Sequence, residues 1–180
     1  MLLIPRQDCA SAAKTLAEAL RHGPVQLLFV CTHNSRRSQL SEALAAAEWA
    51  ESAEIEVRSC GTEKTACHPS TVQALTDLGW SATDLGGGTF RVKKGQIQRT
   101  LYSKTLDEVP RDRPVVALMT CAEADEACPA IPGAVARIPW RYPDPKFSDG
   151  QPECRATYRA VAEAIARDLH ELNLELQQLR

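Results

Sequence analysis

The sequence lacks an excess of basic residues and lacks any long apolar run. Its 180 residues include 21 Lys and Arg against 23 Asp and Glu, which gives a formal net charge of −2 at pH 7. This balance argues against general binding to nucleic acid or to a membrane surface. No stretch approaches the length of a membrane span, and residues 1–5 form neither the apolar core nor the basic leader of a signal peptide. We therefore expect a cytoplasmic protein.

The sequence also lacks paired metal-ligand motifs. Its seven cysteines are an odd number with irregular spacing, and there is no Cys-x-x-Cys and no matching pair of histidines. This pattern argues against a zinc site, even though Cys67 and His68 are adjacent. Because no export signal accompanies them, the cysteines are more typical of reactive thiols than of a disulfide framework.

The most informative stretch is a cysteine followed by five residues, an arginine and a serine. Its members are Cys31, Thr32, His33, Asn34, Ser35, Arg36, Arg37 and Ser38. An apolar strand (25–30) precedes it and a helical pattern follows, so its backbone N–H groups are expected to converge on one point near a helix N-terminus. Such a point favours a cysteine thiolate and binds a tetrahedral oxyanion. Arg37 would close this cradle with its planar fork, and Ser38 would hydrogen-bond the thiolate. The alternative is a buried, inert Cys31.

Alternating apolar runs and amphipathic segments predict an α/β fold. Strands are expected at 25–30, 55–59, 115–119 and 135–138, and helices at 11–22, 38–51, 68–78 and 153–179. A further helix beginning at Cys121 would be capped by Thr120. The pattern predicts an open, four-stranded, mostly parallel sheet flanked by helices in a single domain. Ligands bind such sheets beyond the carboxyl ends of the strands, which is where Cys31 and Cys121 fall.

Two segments lie outside this regular pattern. Residues 1–24 read as an N-terminal helical extension of a catalytic domain at 25–180. Residues 84–113 form a long, polar, glycine-containing insertion with no clear period. A connection this long in a small domain is functional or disordered, so a flexible loop, a lid and a docking surface all remain open. Residues 101–104 are expected to pin the insertion onto the body of the domain.

Two further motifs carry candidate chemistry. Cys121 and Cys128 are seven residues apart on the predicted helix, a rise of about 10.5 Å. A disulfide needs Cα atoms within roughly 7 Å, so joining the two would require the helix to unwind. Redox partners and two half-buried helix cysteines both remain possible. Asp144, in Asp144-Pro145, could give a proton to a leaving oxygen near an oxyanion, although turn chemistry explains most Asp-Pro pairs.

Taken together, these motifs resemble the low-molecular-weight protein tyrosine phosphatase superfamily, and they are most similar to its thioredoxin-coupled arsenate reductase branch. The loop is similar to the family's C-x5-R-S, and Asp144 resembles its general acid. Ser35, Gln39 and the cysteine pair followed by Pro129 are typical of the reductases. Two features depart from the pattern, namely Arg36, where a second loop cysteine is usual, and the long insertion.

The resemblance implies a three-cysteine relay. Cys31 attacks arsenate while Asp144 protonates the leaving oxygen, Cys121 then attacks Cys31 and releases arsenite, and Cys128 attacks Cys121. Thioredoxin or a similar dithiol protein would reduce the resulting disulfide. Two alternatives are a phosphatase that hydrolyses phosphomonoesters through a phosphocysteine, and a redox- or oxyanion-sensing module.

The resemblance also bears on cofactors. No tightly bound cofactor is expected. A potassium ion is possible near Asn34, Glu42 and Ser59.

Overall fold

The computed structural model describes residues 3–127 and 130–180. Two short 3-10 turns, Leu106–Glu108 and Pro145–Ser148, lie between the main elements. In chain order these elements are α1 (Cys9–Leu20), β1 (Val25–Cys31), α2 (Arg37–Glu48), β2 (Ile55–Gly61), α3 (Pro69–Asp77), β3 (Ser81–Gly86), β4 (Thr89–Lys94), β5 (Ile97–Leu101), β6 (Val115–Met119), α4 (Ala122–Ala127), β7 (Ala134–Pro139) and α5 (Cys154–Gln178).

The main sheet is parallel throughout, with strand order β2-β1-β6-β7. Every residue of β1 is buried, as a central strand covered on both faces requires. Successive strand residues face opposite sides, so Leu27 and Phe29 join a large core with α1, α2, α3 and α5, whereas Leu28 and Val30 join a smaller core beneath α4. The predicted four-stranded parallel α/β sheet flanked by helices is confirmed.

Helix α1 begins two residues earlier than predicted because Asp8 caps it, accepting a hydrogen bond from the N–H of Ser11 at 3.0 Å. Its buried face, which includes Leu16 and Leu20, belongs to the large core and packs against α5. The segment predicted as an N-terminal extension is therefore continuous in packing with the rest of the molecule.

The insertion contains a three-stranded antiparallel sheet, ordered β3-β4-β5, which the sequence analysis did not predict. It begins at Ser81, three residues before the predicted boundary, and its strands end at Leu101. Phe90, Val92 and Leu101 are buried and join the large core. Only two of these apolar residues lie on β4, and they are surrounded by polar residues. The alternation of apolar and polar residues is therefore too short to indicate a strand.

The carboxyl ends of β1, β2 and β6 meet at one edge of the main sheet. Cys31 ends β1, opposite Gly61 at the end of β2, and Thr120 follows β6. The segment after β7 joins the same edge, since the N–H of Tyr142 donates to the carbonyl of Thr120. The candidate residues are thus brought together as predicted. Across residues 3–127 and 130–180, none of the helices has the length and apolar character needed to cross a bilayer.

Candidate active site

The loop between β1 and α2 turns its carbonyl groups towards neighbouring segments. The carbonyls of Cys31, Thr32 and Ser35 accept hydrogen bonds from the N–H groups of Thr62, Glu63 and His68, respectively. The carbonyl of His33 accepts from the hydroxyls of Thr65 and Ser103, and the carbonyl of Asn34 accepts from Gln39 Nε2. Within the parts of the chain that the structure describes, the N–H groups of His33, Ser35, Arg36 and Arg37 have no acceptor. Unpaired N–H donors in one loop, ahead of a helix N-terminus, suit an anion.

The Cys31 sulfur lies inside this loop, and the residue is 4% exposed. It accepts a hydrogen bond from the N–H of Asn34 at 3.1 Å and lies 3.0 Å from Ser38 Oγ. Asn34 adopts a left-handed conformation (φ 44°), which asparagine tolerates better than most residues, and this directs its N–H back towards the sulfur. The sulfur is thus held in place by a backbone N–H and a serine hydroxyl of its own loop.

Gly61 lets the end of β2 pass directly behind the loop. A Cβ at this position would lie 2.6 Å from the carbonyl oxygen of Thr32 and 2.8 Å from the backbone nitrogen of Asn34. Such distances are far too short for a real side chain, so a glycine is required here for close approach rather than for an unusual φ.

Arg37 is the first residue of α2, and its guanidinium is buried at the edge of the loop. Its Nη2 donates to Asp144 Oδ2 at 2.7 Å, and its Nη1 donates to the carbonyl of Tyr142 at 3.0 Å. The other carboxylate oxygen of Asp144 accepts from the N–H of Lys146. The fork predicted to bind an oxyanion and the predicted proton donor are therefore in direct contact.

Arg36 points to the opposite side of the loop, towards α5. Its Nε donates to Tyr158 Oη at 2.6 Å and its Nη2 donates to Asp149 Oδ2 at 2.7 Å. Tyr158 also donates to Asp149 and stacks on the ring of His68. Burial and the nearby Arg36 charge lower the pKa of His68, so its ring is neutral at pH 7. Arg36 thus anchors the loop to α5, a role that the sequence analysis did not assign.

Cys121 lies beside the loop, immediately after β6. Its side chain is fully buried, and its sulfur is 3.5 Å from the hydroxyl of Thr32, the residue that follows Cys31. The sulfur also accepts the N–H of Ala124, so Cys121 itself caps α4. The predicted cap, Thr120, instead donates its hydroxyl to the carbonyl of Val30. Burial raises the pKa of Cys121, and the contacts with Thr32 and Ala124 offset part of that effect.

Cys128, the second cysteine of the predicted pair, lies outside the described residues, as does Pro129. Helix α4 is short, with six residues, and Cys121 precedes it. The placement of the two cysteines on one helix face stays a prediction. A helix of this length is marginal by itself, so unwinding it costs little.

The residues predicted near a cation form a buried cluster behind the loop. Asn34 Nδ2 donates to Ser38 Oγ at 2.8 Å and to Ser59 Oγ at 2.9 Å, and the hydroxyl of Ser59 donates to Glu42. Lys104 joins them, with its Nζ 3.0 Å from Glu42 Oε2. No pattern in the sequence indicated a role for Lys104. The available signal was its place in the segment expected to pin the insertion to the body.

Comparison with known proteins relates this architecture to two groups of enzymes. Residues 26–179 match the model of the family described as low molecular weight phosphotyrosine protein phosphatase. The chain is 28% identical over 142 residues to an arsenate reductase of Halalkalibacterium halodurans, covering 78% of this chain and 89% of that protein. It resembles the crystal structure of an arsenate reductase from Archaeoglobus fulgidus, with a TM-score of 0.56, 25% identity, and 81% and 97% of the two chains covered.

A solved phosphatase shares the same fold. The solution structure of a low molecular weight protein tyrosine phosphatase from Bacillus subtilis matches with a TM-score of 0.57 and 18% identity, over 85% of this chain and 97% of that one. Since reductase and phosphatase share the architecture, the fold alone does not distinguish the two activities.

Proposed function

The chain belongs to the low molecular weight phosphotyrosine protein phosphatase family, and from the site described above we propose that it is an arsenate reductase that acts through Cys31, Cys121 and Cys128. The observation that carries this choice is the contact between Cys121 and Thr32. A phosphatase needs only a nucleophile, an arginine and a proton donor. A buried thiol against the residue next to the nucleophile serves no step of phosphoester hydrolysis.

In the first step, the loop N–H groups and Arg37 bind arsenate, and the thiolate of Cys31 attacks arsenic. A sulfur–arsenic bond forms, and an arsenic–oxygen bond breaks. Asp144 protonates the departing oxygen, which leaves as water. The contact between Arg37 and Asp144 supports this assignment by position only, because it places the carboxyl group beside the guanidinium that would hold the oxyanion. The oxyanion would displace Asp144 from Arg37, and Asp144 would take up a proton from solvent before it acts as the donor.

In the second step, the thiolate of Cys121 attacks Cys31 Sγ. A disulfide forms between the two cysteines, the sulfur–arsenic bond breaks, and its electron pair stays on arsenic, which leaves as arsenite. Arsenic is thereby reduced from the +5 to the +3 state, and the two thiols supply both electrons. Because burial raises the pKa of Cys121, we expect this step to accelerate as the pH rises above 7.

In the third step, the thiolate of Cys128 attacks Cys121 Sγ. The Cys121–Cys128 disulfide forms and Cys31 leaves as a thiolate. The short α4 segment would have to open to bring these sulfurs together, which would expose the disulfide to an external reductant. We propose thioredoxin or a similar dithiol protein as that reductant, two of whose thiols would restore the resting enzyme.

The test is arsenate-dependent consumption of NADPH in the presence of thioredoxin and thioredoxin reductase. Wild type should turn over continuously, whereas Cys121→Ser and Cys128→Ser should not sustain turnover. Cys154→Ser is the matched control, because Cys154 lies at the start of α5, where its thiol contacts the hydroxyl of Ser70, and it should behave as wild type. Continuous turnover by Cys121→Ser would refute the relay.

A parallel assay with p-nitrophenyl phosphate distinguishes the phosphatase alternative. Hydrolysis that requires Cys31 but proceeds equally in Cys121→Ser, together with no NADPH consumption on arsenate, would identify a phosphatase. A sensing module would show neither activity at an appreciable rate.

A further inference from the structure

Behind residues 31–38, here called the nucleophile loop, a lysine from the insertion is buried among polar side chains. Lys104 is 4% exposed, and lysine is almost never buried unless it is paired. Its Nζ donates to Glu42 Oε2 at 3.0 Å and to Ser59 Oγ at 3.3 Å, and it approaches the carbonyl of Tyr102 at 3.5 Å. The ring of Tyr102 covers the ammonium, with its centroid 4.7 Å away.

These ligands are the type that a monovalent cation would use, namely a carboxylate, a hydroxyl and a carbonyl. The residues named as a possible potassium site, Asn34, Glu42 and Ser59, are in the same cluster. With the ammonium of Lys104 already bonded to Glu42 and Ser59, a second cation would meet a like charge at close range. The residues present therefore fit an internal ammonium and do not fit an added ion.

The cluster is connected to Cys31 by hydrogen bonds whose direction is set by the amide nitrogen of Asn34, which can only donate. Ser59 donates to Glu42, so its oxygen is left to accept from Lys104 Nζ and from Asn34 Nδ2. The second hydrogen of Asn34 Nδ2 goes to Ser38 Oγ at 2.8 Å. Because Ser38 accepts there, its own hydrogen is free for the Cys31 sulfur 3.0 Å away.

Lys104 also holds Asn34 through its backbone. Its N–H donates to Asn34 Oδ1 at 3.0 Å, which fixes the amide with its nitrogen towards the two serines. Gln39 Nε2 donates to the same oxygen. The ammonium neutralises the carboxylate that orients Ser59, and the peptide group orients Asn34.

We propose that Lys104 is a positioning residue whose ammonium takes the place of a monovalent cation and keeps Ser38 oriented as a hydrogen-bond donor to the thiolate of Cys31. This rests on the proposed role of Cys31 as the nucleophile. Loss of the ammonium leaves Glu42 buried without a counter-charge, which favours its protonation. Lys104 is then no longer held at Glu42 and Ser59, so its N–H can leave Asn34 Oδ1 and the amide can turn its nitrogen away from Ser38.

The test measures alkylation of Cys31 by iodoacetamide, followed by mass spectrometry so that the other cysteines do not contribute. Rates are taken from pH 5 to 9 in KCl, NaCl and choline chloride at equal ionic strength. Wild type should give the same rates in all three salts. Lys104→Met keeps the stem but removes the charge, and its alkylation at pH 7 should be about tenfold slower, with the profile moved up by about one pH unit.

Lys104→Ala removes the stem as well and opens space for an ion. Its alkylation should be slow in choline chloride and should recover in KCl, whereas Lys104→Met should not recover. The matched control is Lys93→Met, which removes an exposed lysine from β4 of the same insertion and should match wild type. A purely structural role of Lys104 would lower the melting temperature of both variants without rescue by potassium.

Two results would overturn the proposal. One is a wild-type alkylation rate or melting temperature that rises saturably with KCl but not with choline chloride, since this would demonstrate a separate cation site. The other is a folded Lys104→Met with the wild-type pH profile. If both Lys104 variants fail to fold, the wild-type rates in KCl and choline chloride still test whether the cluster binds an added cation. The alkylation assay needs no arsenate. If the wild type reduces no arsenate, that result counts against the proposed function, and the alkylation rates still test the role of Lys104.

Discussion

Replacing Gly61 with alanine should damage the nucleophile loop more than the fold. The added Cβ would lie 2.6 Å from the carbonyl oxygen of Thr32, whereas ordinary contact begins near 3.4 Å, so the two must separate by about 0.8 Å. The other close neighbours, the nitrogen of Asn34 and the carbonyl of Glu63, are also backbone atoms and cannot rotate away. The displacement must therefore be taken up by the loop or by the end of β2.

A misplacement of this size has a calculable effect. An error of about 1 Å in a reacting group costs about 10²-fold in rate. Overpacking of a buried position costs about 1–3 kcal/mol of unfolding free energy. We therefore expect Gly61→Ala to lose about two orders of magnitude in kcat for arsenate, measured by NADPH consumption, while remaining folded at 25 °C.

Gly79→Ala is the matched control for this prediction. Gly79 has a positive φ of 85°, and a Cβ added to it would have no neighbouring atom within 4 Å, so alanine there is strained but meets no obstacle. It should cost about 1–2 kcal/mol of stability through backbone strain and leave kcat unchanged. If Gly61→Ala keeps more than half of the wild-type kcat, or if Gly79→Ala loses as much, then the close approach of β2 does not position the loop.

Three other predictions follow from individual contacts. Burial raises the pKa of Cys67 to about 12 from 9.0, so the folded state keeps a proton that the unfolded state releases. The contribution of Cys67 to stability is complete below pH 9, and it falls by about 1.4 kcal/mol per pH unit from pH 9 to 12. Cys67→Ala should therefore flatten the pH dependence of chemical denaturation between these pH values, whereas Cys154→Ala should not. Asp149→Asn breaks the partly buried pair with Arg36 and should cost about 1–3 kcal/mol in urea denaturation, so an unchanged midpoint would refute the anchoring of the loop to α5. Asp144→Asn removes the ion pair with Arg37 and should tighten sulfate binding by calorimetry while lowering arsenate turnover about 10²-fold; weaker sulfate binding would contradict competition between the carboxylate and the oxyanion for Arg37.

The sequence predicted the parts of the site that depend on local order. Cys31 to Ser38 form a continuous segment between a strand and a helix, and a parallel sheet places Thr120 at the same edge for topological reasons. The loop and the position of Cys121 near it could therefore be inferred before the structure. The catalytic roles of Cys31, Arg37 and Asp144 stay predictions until they are measured.

The contacts that tune the loop could not be predicted, because their partners are far apart in the chain. Arg36 is 113 residues from Asp149 and 122 from Tyr158, and Asn34 is 70 from Lys104. Neither helical nor strand periodicity carries information over such separations. Arg36 stood out only as a departure from the usual loop cysteine, and its bonds to Tyr158 of α5 and to Asp149 became visible in the structure.

The insertion is better understood as part of the scaffold of the site than as a lid. A lid must leave the body of the protein at low cost, yet Phe90, Val92 and Leu101 are buried in the large core. The segment that follows β5 then holds the nucleophile loop directly, since the hydroxyl of Ser103 donates to the carbonyl of His33 and Lys104 bonds Asn34. Opening the insertion would break these bonds and disorganise the loop, so its strands have to stay in place for the loop around Cys31 to keep its shape.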